Sequence, residues 1–179
     1  IVPVLLVAAL GLAACGSDSD SPAADDSLPP VADGLQHPTG ADEVVIQYAE
    51  VGGFVPREFA FKQTPNLLVS GDGRVFGPGA QIEIYPGPLL PAVQVQPITE
   101  EGIQAILAAA DEAGLLAQID YEQPTNIADA STAQVTINVG GQTYVHEAYA
   151  LGLANLDDPG VETTPERQAL ADFIAQLMD

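Results

Sequence analysis

The sequence predicts an α+β fold: a mostly antiparallel β-sheet with two helices packed on one face, preceded by a signal peptide and a disordered tether. Three observations carry this. Short apolar runs with period-two alternation recur between turn dipeptides, Asp72-Gly73 and Gly140-Gly141 among them. Only two stretches, beginning at Thr99 and Thr164, show helical periodicity behind a capping residue. Runs of strands broken by so few helices favour antiparallel pairing over the strict alternation of a parallel sheet.

The first element is IVPVLLVAALGL, residues 1–12, uncharged and apolar. It is too short to cross a bilayer as a helix of ~20 residues, and it suits the hydrophobic region of a secretory signal peptide. Neither a basic region nor a methionine precedes it, so the chain is expected to be clipped at its start. Leu12, Ala13, Ala14 and Cys15 follow and resemble the bacterial lipobox. That resemblance implies a diacylglyceryl group on the Cys15 thiol and cleavage before it, making Cys15 the mature N-terminus. The competing reading, a buried or leftover thiol, conflicts with Gly16, Ser17, Asp18, Ser19 and Asp20, which no core would accept. Two acyl chains, at ~0.8 kcal/mol per buried CH₂, hold a membrane stably where one holds it marginally. Cys15 is the one cysteine, so no internal disulfide is available and stability must come from packing.

From Gly16 to about Asp42 the composition turns to Asp, Ser, Pro and Ala with no periodicity. Such a stretch buries too little apolar surface to offset its chain entropy, and it reads as a disordered tether. The organisation is therefore 1–14 signal peptide, 15–42 lipidated cysteine and acidic tether, and 43–179 a single α+β domain.

Within that domain Val44, Ile46 and Tyr48 alternate with Val45, Gln47 and Ala49 as a strand, broken by Gly52-Gly53. Glu58 to Lys62 reads as a short edge strand with Phe59 and Phe61 on one face. Leu67 to Ser70 turns at Asp72-Gly73 into Arg74, Val75 and Phe76, a dipeptide that favours positive φ at both turn centres. Ile82 and Ile84 suggest a further short strand, and Val93 to Gln96 a last one before the first helix. Thr99 is placed as that helix's N-cap, with Glu100 and Glu101 at the positive end of its dipole. Ile103, Ile106, Leu107 and Ala110 form its apolar stripe, and Gly114 suits its C-terminal turn. A second hairpin, TAQVTINV and QTYVHEAYAL around Gly140-Gly141, sets His146 opposite Val135. The last helix starts with Thr164 as cap and Pro165 at N1, burying Leu170, Phe173, Ile174 and Leu177.

The segments GGFVPREF, PNLLVSGDGRVF, PGPLLP, ITEEGIQAILAAADEAGLL, IADASTAQVTINVGGQTYVHEAYALG and ERQALADFIAQL resemble a group of uncharacterised actinobacterial lipoproteins and secreted proteins. The resemblance covers most of Val51 to Leu177 and implies an envelope location and an α+β class, with no activity attached. A looser likeness, in the setting of a helix beside a hairpin, is to PepSY-type inhibitory domains.

Charge narrows the partners. The 179 residues include 25 Asp and Glu against 4 Lys and Arg, a formal charge of -21, and every acid lies beyond Cys15. Phosphate backbones and anionic headgroups repel such a surface, so nucleic acid is excluded and membrane attachment must come from lipid. A basic or neutral envelope partner fits, although solubility alone also explains the charge.

The chemistry-bearing residues are sparse. His37 falls in the tether beside Pro38. His146 sits on a strand, either as a half-buried side chain satisfied by a hydrogen bond or as a ligand or base. With two histidines and one cysteine no transition-metal site is expected, and no cofactor. The acidic pairs Asp111-Glu112 and Asp157-Asp158 read as a solvated helix end and a turn, without EF-hand spacing. A carboxylate pair for hydrolysis is a spatial feature, but aromatics at 6% and the absence of tryptophan furnish a sugar groove poorly. The glycines around 71–79 precede no helix and imply no phosphate cradle.

YPGPLLP, residues 85–91, is the remaining feature. Tyr85, Leu89 and Leu90 are candidates for partner binding, on a loop that prolines stiffen. The alternative is that Leu89 and Leu90 fold down as a plug at the end of the sheet. Two functions stay open: a lipid-anchored, non-catalytic envelope protein, or an extracytoplasmic hydrolase using a carboxylate pair. Given a complete signal start, the chain should take up labelled fatty acid and fractionate with membranes. Cys15→Ser should abolish the label, and label persisting on that variant would end the lipidation reading.

Overall fold

The computed structural model describes residues 34–125, 127–155 and 163–179; Cys15, the signal-peptide and tether readings up to residue 33, and Asp157-Asp158 lie outside the described residues. Six strands form one antiparallel sheet: β1 (Val44–Gly52), β2 (Leu67–Ser70), β3 (Arg74–Pro78), β4 (Val93–Pro97), β5 (Ser131–Val139) and β6 (Gln142–Tyr149). Their spatial order is β4-β3-β2-β1-β5-β6. Helix α1 (Arg57–Ala60) is a single turn, α2 (Glu100–Glu112) follows β4, and α3 (Pro165–Met178) closes the chain. The α+β class read from the sequence is the fold observed.

β1 is central, paired to β2 on one side and β5 on the other. A bulge between Val44 and Ile46 inserts Val45 as an extra residue, which lets the consecutive Val45 and Ile46 both be buried. Beyond it one face carries Ile46, Tyr48, Val69, Val135 and Ile137, and these join Ile103, Leu107 and Ala110 of α2 and Leu170 and Phe173 of α3 in one core. Both long helices start as their sequences require. Thr99 accepts from Gly102 N–H and Thr164 from Arg167 N–H, with Pro165 in the first turn.

The two hairpin turns differ. Gly140 and Gly141 both have positive φ, the two-residue turn expected between β5 and β6. At the β2–β3 connection only Gly73 does: its N–H donates to Ser70 O at 3.1 Å, and Ser70 pairs with Arg74. The expected positive φ at Asp72 is therefore corrected to a three-residue loop with glycine alone in the left-handed position.

Two expected strands are absent. Arg57–Ala60 is helical because Pro56 starts a local turn, with Phe59 N–H donating to Pro56 O and Lys62 N–H to Phe59 O. Residues 79–92 carry no strand at Ile82 and Ile84; Ile84 N–H bonds back to Ile82 O, and the prolines at 86, 88 and 91 lack the donors a ladder needs.

The described part of the expected tether is also corrected. Residues 34–42 belong to the fold, and His37 is held in a defined geometry. Leu35 packs against the core, its N–H donates to Gln104 Oε1 at 2.8 Å, and Gln104 Nε2 donates to Leu35 O at 3.0 Å. His37 Nδ1 donates to Pro38 O, and Nε2 lies 3.0 Å from Glu100 Oε1. Gly140 N–H donates to Gln36 O. Pro38 passes so close to Gly71 that no side chain fits there. Composition registers only the scarcity of apolar residues; these backbone clamps supply the missing stabilisation. Removing the chain through Ala41 should therefore cost on the order of 2–3 kcal/mol, seen as a melting midpoint lower by about 5–10 °C. An unchanged midpoint would show that the clamps add nothing.

Candidate functional site

The register places both long loops of the β1–β4 half at one end of the sheet. Tyr48 lies beside Leu67, Leu68 beside Phe76, and Pro78 beside Val93, so the connections 53–66 and 79–92 emerge side by side. The ladder of β3 and β4 extends to Gly79, whose N–H donates to Ala92 O at 2.8 Å, and the loop beyond it projects from that hairpin. Tyr85 is fully exposed, and Leu89 and Leu90 are 81% and 69% exposed. The reading of Leu89 and Leu90 as a core plug is thereby corrected: prolines keep the loop from folding back over the sheet end. Phe54 and Phe61 of the neighbouring connection are equally open, at 85% and 86%. Ile82 and Ile84 add to the same end.

The face of the sheet opposite the core leads to this end. One row crosses all six strands there: Val145, Thr136, Gln47, Leu68, Phe76 and Val95. It is polar at the centre and apolar towards β4. An open groove of 310 Å³ runs along the apolar half, with Leu68, Phe76 and Val93 as its floor and Pro65 at the loop end. Asp42 and Glu43 border its other end. The Arg74 guanidinium stacks on Phe76, 5.1 Å from the ring centre, and pairs with Asp72 at 2.7 Å. Bonds from Arg74 and Ser70 hold the Asp72 carboxyl below its usual range.

Neither histidine faces this surface. His146 is buried opposite Val135, as the two-residue turn requires. Its Nε2 lies 2.8 Å from Leu115 O and its Nδ1 2.9 Å from the Tyr121 hydroxyl. A carbonyl only accepts, so Nε2 carries the proton, and Nδ1 accepts from Tyr121 O–H. Burial pushes the imidazole below its ordinary range, against a smaller opposing effect of the Leu115 carbonyl. Burial and the Glu166 charge push the Tyr121 phenol up to about 12. The satisfied-histidine reading is the one the geometry fits. Tyr121 gave no sequence signal, since it lies in a loop of no periodicity.

Among the described residues no three His, Cys, Asp or Glu side chains converge on a point where an ion would sit, and no helix is long and apolar enough to cross a membrane. Asp111 and Glu112 lie exposed at the end of α2. Compared with known proteins, the chain matches no family model, no curated protein and no solved structure.

The buried neutral His146 sets a pH dependence. Its folded pKa is below the unfolded one, so the unfolded chain takes up the proton first as pH falls. Stability should be full above the usual imidazole value near 6.5 and decline below it. Denaturant midpoints measured from about pH 7.5 to 5.5 should fall. His146→Phe should lose that slope and about 2–4 kcal/mol, because the Tyr121 hydroxyl and Leu115 carbonyl are left unpartnered. A slope unchanged in the variant would assign it to other groups.

Proposed function

We propose that this chain is a lipid-anchored cell-envelope protein with a non-catalytic binding role, exported and held at the membrane through Cys15. Its binding surface is the end of the sheet formed by residues 53–66 and 79–92. The observation that carries this is the set of large apolar side chains, Phe54, Phe61, Tyr85, Leu89 and Leu90, that protrude into solvent from two adjacent loops. Folding gains nothing from exposing them, and large apolar groups exposed together at one end of a fold mark an interaction surface. Tyr85 is the kind of rigid amphipathic ring that anchors interfaces, and Pro86, Pro88 and Pro91 reduce the freedom lost on docking.

The distribution of polar groups supports a binding role over hydrolysis. The ring nitrogens of His37 and His146 are engaged in structural hydrogen bonds. The two acids bordering the groove are sequence neighbours, and Glu43 accepts from Gly40 N–H at 2.7 Å, which shapes a turn. The strongly negative chain favours a basic or neutral partner and discourages acidic ones.

The test is Leu89→Asp with Leu90→Asp. Both positions are exposed, so stability should change by no more than about 0.5 kcal/mol per site. Capture of envelope components by the immobilised protein should drop to background. Capture equal to the parent's would move the binding surface elsewhere.

A further inference from the structure

We infer that this loop end enters the interfacial region of a lipid bilayer, so that the domain rests loop-first on a membrane. The inference rests on the reading of this end as the binding surface and names its partner.

Charge is the first argument. The whole chain carries -21, yet the segments 53–66 and 79–92 hold Arg57 and Lys62 against Glu58 and Glu83, a balance of zero. Half of the four cations of the chain therefore fall in one of these loops. Two described acids adjoin these loops: Glu50 accepts from Ser131 and its N–H donates to Asn66 Oδ1, and Asp129 O accepts from Phe54 N–H. The two loops, whose own acids and cations balance, are thus the segments that approach a low-dielectric phase without bringing net charge of their own into it.

Shape is the second. Side chains this exposed stand clear of their surroundings, on two separate loops. A rigid protein partner needs a matching pocket for each; a fluid hydrocarbon boundary accommodates them all. The mixture of aliphatic tips with Phe and Tyr rings is the composition that settles at the headgroup boundary, where a ring buries its body and wets its edge.

Reach is the third. Gln36 O accepts from the β5–β6 turn, so the start of the described chain lies at the opposite end of the sheet. The 18 residues of 16–33 extend at most about 60 Å, and this allows the far end of the sheet to face the same bilayer that holds Cys15.

The chain has no tryptophan, so Tyr85→Trp in the full chain introduces a single local probe at a fully exposed position. With vesicles of phosphatidylcholine, the emission of this introduced indole should shift to the blue. Phosphatidylcholine brominated near the glycerol end of its acyl chains should quench it. Both effects should persist from about 0.05 to 0.5 M salt, because no net charge is neutralised. Adding Leu89→Asp and Leu90→Asp should lower partition by at least about tenfold. Val145→Trp, in the open-face row on β6, should keep the emission of an exposed indole.

Vesicles that carry the chain while the indole at position 85 stays in water would overturn the inference, since membrane binding would then run through the N-terminal segment alone. A blue shift that grows with protein concentration without lipid would also overturn it, in favour of a second copy. If lipid leaves the indole unchanged but a lipid-free envelope extract buries it, the surface reading survives and its lipid partner does not.

Discussion

The structure depends on how one backbone segment is held. Two helices do not cover a six-stranded sheet, and the connection 115–122 closes what remains of the core. It carries Leu115 and Tyr121 inward, both fully or nearly fully buried. A loop buried that deeply must have its carbonyls satisfied. His146 from β6 donates to Leu115 O, and Arg167 from α3 donates to Glu122 O at 3.0 Å and to Tyr149 O at 2.7 Å. These two side chains bind loop, sheet and helix into one unit. Arg167 is buried and, among the described residues, held by carbonyls, and burial lowers its pKa. A guanidinium with its donors satisfied tolerates such a site because its charge is delocalised and weakly hydrated. A lysine there would present one point charge to two separated carbonyls.

Much of this was legible in the sequence where a local rule acts alone. Thr99 and Thr164 cap their helices because side-chain oxygen, spacing and following stripe agree. Gly140-Gly141 sets its hairpin register, and with it the face of His146. Where two tendencies competed, pattern failed. Phe59 and Phe61 alternate as in a strand, but Pro56 starts a turn and no neighbouring edge is offered. Ile82 and Ile84 alternate too, beside prolines that cannot donate. The 34–42 strap is poor in apolar residues and is held by Gln104 and Glu100, a pairing no composition encodes. Arg167 looks like a solvated helix residue until the carbonyls it reaches are placed around it. Ala150, at φ 56°, takes the left-handed region with no glycine to announce it; its N–H donates to Ser131 O.

The candidate surface was legible in part for the same reason. Proline spacing in 85–91 announces a stiff loop, and Tyr85, Leu89 and Leu90 announce its apolar content. Whether apolar content turns inward depends on what the sheet end already holds. Leu89 and Leu90 sit in a loop that projects beyond the β3–β4 ladder, and they are 81% and 69% exposed. Phe54 and Phe61 joined the surface only through the register of β1 with β2, a long-range fact.

The two ends of the sheet therefore have opposite characters. At one, the 34–42 strap, the Gly140-Gly141 turn and the 71–73 loop interlock through backbone hydrogen bonds. Side chains there mostly serve the fold: Glu100 is held below its usual range by Gln104 and His37. At the other, large apolar groups stand in water and satisfy nothing in the domain. Exposure of that kind lowers solubility, and a chain charge of -21 offsets it without altering the loops themselves. Folding alone accounts for the first end. The second is the surface proposed above to meet a partner, and the balanced charge of its two loops, within a chain of -21, is what favours an apolar phase in that proposal.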